Sequence, residues 1–343
     1  MTQPDIIQTN VSLAPLTTMK MGGAAAYFGR VQTRDQLEAA VAWAKLQDLR
    51  VIILGEGSNL IVGDGVVDAL VLKLELHGFE TQSAANGLVR VTVGGGEHWD
   101  DVVQRTVALG LTGLETLSMI PGTAGAAPVQ NAGAYGGETA DHLVDLEAYD
   151  LKTNEWLGLP AAACRFGYRT SRFREEDAGR FVIAQVRFEL RSGAPDPARY
   201  ERLNKRLADD GISEPTGQQL RETVMALRAK VLPDPSVVPS AGSFFKNPIV
   251  DAEALKRLQA EYEDIKSFGF GENYKLAAGW LLEKCGFKGA EHFGLKIWPE
   301  HALVITNPHH RGYDDLMKLV ELMQRKVRQE FGVELEPEPL FLL

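Results

Sequence analysis

The sequence predicts a mixed helix-and-strand protein of the α+β class, divided into two or three domains. Apolar residues recur at helical spacing in several otherwise polar segments, and short runs rich in valine, isoleucine and leucine alternate with them from the opening third onward. Size is the third observation: 343 residues, 45% hydrophobic and 24% charged, are ample for a large core and exceed what one domain usually holds.

In chain order, "TRDQLEAAVAWAKLQ" opens on Thr33 with Gln36 three positions later, the spacing of a capping box, and predicts a helix. "RVIILG" after it reads as a buried strand, and further strands are expected at "DALVLKLEL", "GLVRVTVGG", "LVDLEAYDL" and "FVIAQVRFEL". "HWDDVVQRTVALG" predicts a helix that stops at Gly110. Residues 191 to 216 are polar and turn-rich, and the helix expected next, "GQQLRETVMALRAK", ends before "VLPDP", which sets a domain boundary near Pro233. "PSAGSFFKNP", residues 239 to 248, reads as a turn leading into a strand, with Gly242 supplying a backbone shape and Phe244 or Phe245 entering the core. "KLAAGWLLEKCG" and "YDDLMKLVELMQRKVRQEFG" read as helices, the second with Leu316, Leu319, Val320, Met323 and Val327 on one stripe, and the strand "HALVITN" lies between them.

Charge and cysteine usage narrow the function. Thirty-six basic residues against 46 acidic ones give a net charge of -10, with no basic block to follow a nucleic-acid backbone. An anionic ligand would therefore need its lysines and arginines gathered in one cleft. Cys164 and Cys285 stand far apart with no CxxC pair, which speaks against a disulfide framework and for the cytoplasm. No apolar run approaches a membrane span, and "MTQPDIIQTN" lacks the pattern of a signal peptide.

Three segments attract chemistry. "ILGEGSNLIVGDG" puts a glycine loop directly after an apolar strand, where backbone amides can approach a phosphate, but Leu60 breaks the G-x-G-x-x-G fingerprint and no P-loop ending follows. On its own this loop is equally well a structural turn. "MIPGTAGAAPVQNAGAYGGE" runs for about twenty positions with little side chain to build a core; a flexible linker is one reading, and close backbone packing around a flat or diphosphate ligand is the other. "CRFGYRTSRFR" interleaves Arg165, Arg169, Arg172 and Arg174 with aromatic rings, either an exposed basic strand or a local anion site. No G-x-S-x-G surrounds Ser243 or Ser58, and the seven histidines form no H-E-x-x-H, so neither a nucleophile elbow nor a catalytic metal is expected.

Taken in order, "LGEGSNLIV", "IPGTAGAAPVQNAGAYGGE", "FGYRTSRF", "AGSFFKNP", "KLAAGWLLEKCGFKG" and "LEPEP" resemble the UDP-N-acetylenolpyruvoylglucosamine reductases, flavoenzymes of peptidoglycan-precursor synthesis, across almost the whole chain. The resemblance implies a two-part FAD-binding region of the vanillyl-alcohol-oxidase type, residues 1–70 and 71–232 with the tail 335–343 packing back on the first, plus a smaller α/β substrate domain at 233–334. It implies noncovalent FAD contacted by Gly55, Gly57, Ser58, Asn59, Pro121, Gly122, Gly125, Gln130, Asn131, Gly133 and Tyr135. The implied substrates are NADPH and UDP-N-acetylglucosamine enolpyruvate, and the implied state is a cytoplasmic monomer.

For catalysis, the resemblance makes Arg169 the cation beside the enolpyruvyl carboxylate, Ser243 the proton donor to C2, and Glu338 the acid that stabilises the enolate-like intermediate. Hydride arrives at C3, so negative charge develops at C2 and its carboxylate, where a fixed cation and an acid are needed. Tyr200, Lys230, Asn247 and His301 are the implied substrate contacts. The chain departs from the family pattern in three places: Val231 holds the lysine position of R-x-x-K-L-P-D-P with Lys230 one residue earlier, His301 stands where glutamine is usual, and Pro339 replaces a valine. One helical step rotates a side chain by about 100 degrees, so Lys230 can substitute only by bending back or by a backbone adjustment. Another FAD-dependent oxidoreductase of the same superfamily, or a lapsed UDP-sugar-binding protein, are the competing readings.

Overall fold

In the computed structural model, which describes residues 2–343, Thr33 caps a helix at Arg34–Leu46 (α1) by accepting from the Gln36 amide. Gln36 reaches back one residue beyond the box, to the amide of Gln32 at 2.8 Å. Leu37, Ala40, Val41, Trp43 and Ala44 bury one face of α1 with Leu70, Leu72 and Leu74 from a four-stranded sheet. The order in that sheet is Ile7–Ser12, Ala24–Val31, Val66–Leu74, Val51–Leu54, the last two parallel.

The chain divides into two compact units: one holds residues up to Val11, Ala25–Glu56 and Asp68–Arg228, and the other holds Ser12–Ala24, Gly57–Val67 and Ala229–Leu343. Besides the α1 layer, unit one contains an antiparallel sheet ordered Glu155–Pro160, Leu143–Asp150, Phe181–Ser192, Leu88–Gly94, Phe79–Ser83, with Leu111–Thr112 pairing at the end of its long central strand. Trp99–Ala108 (α2) packs on it: Trp99, Val102, Val103 and Val107 share a core with Val91, Val93, Val186 and Phe188. Gly110, with φ of +70°, ends the helical region where its sequence placed the stop.

The stretch 191–216 contains a helix that its polarity conceals. Glu201–Asp209 (α3) presents Leu203 and Leu207, four apart, to Leu220, Val224 and Leu227 of Gly217–Val231 (α4). Two leucines suffice because the partner helix supplies the rest of the apolar surface.

Unit two is organised around Tyr313–Phe331 (α7), which follows Ala252–Glu261 (α5) and Ala278–Lys284 (α6). The expected stripe Leu316, Leu319, Val320, Met323 and Val327 is buried, in one core with both Phe244 and Phe245 at 1% exposure. The segment read as one helix from Lys275 begins as a strand: Asn273–Leu276 pairs with Ile249–Val250 and Ser267–Phe270, and α6 starts only at Ala278. Ser240–Ser243 pairs with Val304–Thr306 across a bulge, and Leu340–Leu342 runs parallel to Leu60–Val62. None of the helices of the described residues is long and apolar enough to cross a membrane.

Candidate active site

In unit two, Ser243 ends its strand opposite Val304, one residue after Gly242 at φ of +70°, a left-handed backbone that glycine adopts without strain. Past it the chain turns onto the C-terminal tail. Glu338 N donates to Phe244 O at 2.8 Å, Phe245 bridges to Pro337, and Lys246 N donates to Glu336 O at 2.9 Å. Ser243 and Glu338, separated by 95 positions in the numbering, thus sit on adjoining ends of one short backbone pairing. Asn59 joins them, donating its amide to Glu338 O at 3.4 Å and accepting from Leu340 N at 2.9 Å. Gly57 and Ser58 lie just before it, their carbonyls accepting from Thr18.

Also in unit two, Asn247 accepts from Ala278 N at 3.0 Å and so caps the first turn of α6 with its side-chain oxygen. Its amide NH2 is a donor group at the same place. The ring of His301 lies beside Gly279 of that turn, where an added Cβ would meet it at 3.5 Å, and its Nδ1 accepts from Leu303 N at 3.2 Å. That acceptor role fixes the neutral tautomer with hydrogen on Nε2, a donor like the amide of the glutamine it replaces. Lys230 is exposed in the last turn of α4 and makes no hydrogen bond or ion pair with another described residue.

In unit one, the two segments singled out separately in the sequence are stitched together. Arg169, itself at φ of +54°, donates to Gly133 O at 2.5 Å, Ser171 donates to Val129 O at 2.6 Å, Asn131 donates to Gly167 O at 3.1 Å, and Arg174 reaches Gln130 at 3.5 Å. Asn131 is almost fully buried, and its remaining capacity goes to Glu138 and the Ala140 amide. Its side chain is a brace for the loop. Behind Arg169, Arg172 pairs with Asp177, and Arg180 pairs with both Asp177 and the fully buried Asp150, which anchors this arginine-rich turn to the sheet.

Pro121, Gly122 and Gly125 belong to a strip whose backbone is held almost residue by residue. Asp100 accepts from Met119 N at 2.6 Å, Glu56 from Gly122 N at 3.0 Å, Glu97 O from Ala124 N at 2.8 Å, and Gly95 O from Gly125 N at 2.9 Å. Side chains are excluded at close approaches: a Cβ on Gly125 would fall 2.6 Å from Ile183 O, and one on Gly55 would fall 2.9 Å from Thr123 Oγ1. The flexible-linker reading of this segment is thereby ruled out.

Comparison with known proteins matches residues 25–157 to an FAD binding domain and residues 234–342 to the C-terminal domain of UDP-N-acetylenolpyruvoylglucosamine reductase. The reductase of that name from Ralstonia nicotianae is 38% identical over 341 residues, spanning 98% of this chain and 99% of that one. Its counterpart from Paraburkholderia phymatum is 39% identical over the full length of both. The chain belongs to the UDP-N-acetylenolpyruvoylglucosamine reductase family. A solved structure of the UDP-N-acetylenolpyruvylglucosamine reductase from Thermus caldophilus superposes with a TM-score of 0.68 at 25% identity, covering 97% of this chain and 98% of that one.

The strips suit the flavin that such a reductase carries. In unit one the strip presents small residues and the neutral side chain of Gln130, with its glycine backbone held in place by the protein itself. The one carboxylate between the first glycines, Glu56, is occupied by the Gly122 amide.

Sequence reasoning missed Arg228 in this reductase. Its Nη2 donates to Met119 O at 3.1 Å, while its Nε is shielded from solvent with no hydrogen-bond partner among the described residues. Burial draws its pKa below the ordinary guanidinium value, against the attraction of Tyr135 and Asp100. Tyr135, whose own pKa burial raises, packs edge-on against Tyr200 at 5.3 Å between ring centres. In "RAKVLPDP" this arginine reads as an ordinary charged residue near a helix end, and the shielded, unpartnered Nε that marks it shows only in three dimensions.

Proposed function

We propose that this protein reduces UDP-N-acetylglucosamine enolpyruvate to UDP-N-acetylmuramate with NADPH, supplying a peptidoglycan precursor. The observation that carries the reading is the pairing of the Ser243 strand end with the Glu338 tail, which gives unit two a hydroxyl and a carboxyl on adjoining backbone. FAD, when bound, would supply the hydride chemistry that links the nicotinamide to C3 of the enolpyruvyl group.

The chain's own residues handle charge and protons. Arg169 meets the substrate carboxylate, where negative charge grows as the double bond is reduced, and its tie to Gly133 keeps the guanidinium from having to reorganise. Ser243 gives its hydroxyl proton to C2, because the developing carbanion is a stronger base than the alkoxide left behind. Glu338, acting in its protonated form, donates a hydrogen bond to the enolate-like oxygen. Asn247 and the Nε2 hydrogen of His301 serve as donors to the UDP-sugar, and Tyr200 closes over it. Arg228, partly buried and with a shielded Nε that has no acceptor, takes the diphosphate role that Val231 leaves vacant, with exposed Lys230 a lesser contributor. Asn131 shapes the flavin strip, while Gly55, Gly57, Ser58, Asn59, Pro121, Gly122, Gly125, Gln130, Gly133 and Tyr135 line it.

The division at 1–70, 71–232 and 233–334 stands as our proposal for how flavin and substrate binding are shared along the chain. Action as a cytoplasmic monomer rests on the same resemblance and on the cysteine usage. Mass spectrometry of the product tests the reading: a species two hydrogen atoms heavier than the enolpyruvyl substrate, formed only with NADPH, is expected. Substrate returned unchanged by flavin-loaded protein would refute it.

A further inference from the structure

A carboxylate is an odd residue to find between the first two glycines of a loop that receives a dinucleotide, since it opposes the charge of a diphosphate. In unit one Glu56 is turned to other work. Its Oε2 accepts from Gly122 N at 3.0 Å, and its Oε1 lies 3.5 Å from His98 Nε2. Lys73 and Asp101 are the other charged groups facing it, and burial raises its pKa against the attraction of His98. Gly122, at φ of +128°, is held from its other side as well, by Trp99 N donating to its carbonyl at 2.9 Å, and His98 bridges to Thr123.

We propose that Glu56 is a positioning residue for the flavin, a clasp whose carboxylate oxygen fixes the Gly122 amide and so holds strip 121–125 against the turn at residues 55 and 56. The hydrogen bond is the working element, and the negative charge is incidental. Without it, Gly122 has an unpaired amide in a backbone shape that only glycine accepts, and the strip loses its tie to the first loop. The clasp makes no contact with substrate and acts through Gly122 alone. The inference rests on the flavin reading above.

The test is titration of flavin-stripped full-length protein with FAD, followed by flavin fluorescence, for wild type, Glu56→Gln and Glu56→Ala, with hydrogen exchange of the peptide spanning 119–125. Gln keeps an acceptor oxygen and lacks the charge. Its affinity should match wild type, whereas Ala should weaken binding about tenfold, the scale of a lost hydrogen bond, and speed exchange in that peptide. Wild-type affinity in the Ala variant, or a Gln variant as weak as Ala, would overturn the clasp. If the Ala variant does not fold, Gln alone decides: wild-type affinity and exchange support the proposal, and loss of either overturns it. Failure of wild type itself to bind FAD would sink the flavin reading, a distinct result.

Discussion

At the scale of single residues, the account separates groups that move protons from groups that hold shape. Ser243→Ala removes the proposed donor to C2 while leaving the flavin strips of unit one untouched. Substrate-dependent flavin reoxidation should fall about a hundred- to ten-thousand-fold, the usual weight of a positioned acid, with reduction by NADPH unchanged. Rapid-mixing absorbance of the two half-reactions checks this, and normal reoxidation would remove Ser243 from its role. Glu338→Gln should impair the same half-reaction. Arg228→Ala is expected to raise KM for the UDP-substrate with little change in kcat, because a diphosphate contact acts on ground and transition states alike; a fall in kcat at constant KM would place Arg228 elsewhere in the mechanism. Ser243, Arg169 and Glu338 were legible only through resemblance to a family, since a lone serine, an arginine among four and an acid near a tail have ordinary structural readings. Arg228 and Glu56 were not legible, because burial and an unpaired Nε are properties of three dimensions.

At the scale of elements, periodicity served where one face carried the signal. Helices α1 and α7 were evident from their stripes, and five strands between 51 and 192 from their apolar runs, while the edge strands Phe79–Ser83 and Glu155–Pro160 lack such a run. Helix α3 was hidden because only Leu203 and Leu207 mark its face, and the strand Asn273–Leu276 was absorbed into α6 because Lys275 and Leu276 suit either state. Tyr200 is the N-cap residue of α3, so the packing of that helix bears on the tyrosine. Leu203→Ala should cost about 2–5 kcal/mol of local stability. It should raise KM for the UDP-substrate with flavin binding intact, and equal KM values for variant and wild type would disconnect α3 from substrate.

At the scale of the whole molecule, acid stability is set in part by the arginine–aspartate network behind Arg169. Hydrogen bonds from Arg180 hold the buried Asp150 carboxyl below the ordinary carboxylate range. A depressed folded pKa contributes stability that is complete above the unfolded value, about pH 4, and that is lost as pH falls through the folded value. Asp150→Asn should therefore destabilise the protein by about 1–3 kcal/mol at neutral pH, since Arg180 is partly exposed and keeps Asp177 as a partner, and by progressively less in acid. Denaturant midpoints between neutral pH and pH 3 measure this, and a penalty independent of pH would contradict it.

The order of the six motifs, more than any one of them, made the family legible from one end of the chain to the other; five of them fall within the two matched domains, and "FGYRTSRF" lies between those domains. The central claim is that one chain carries both halves of a reduction. Its most direct test is anaerobic absorbance of the FAD-loaded protein, first with NADPH alone and then with UDP-N-acetylglucosamine enolpyruvate added. The account predicts that the flavin bleaches with NADPH and recovers its colour on addition of the enolpyruvyl substrate. A flavin that bleaches and stays reduced would contradict it.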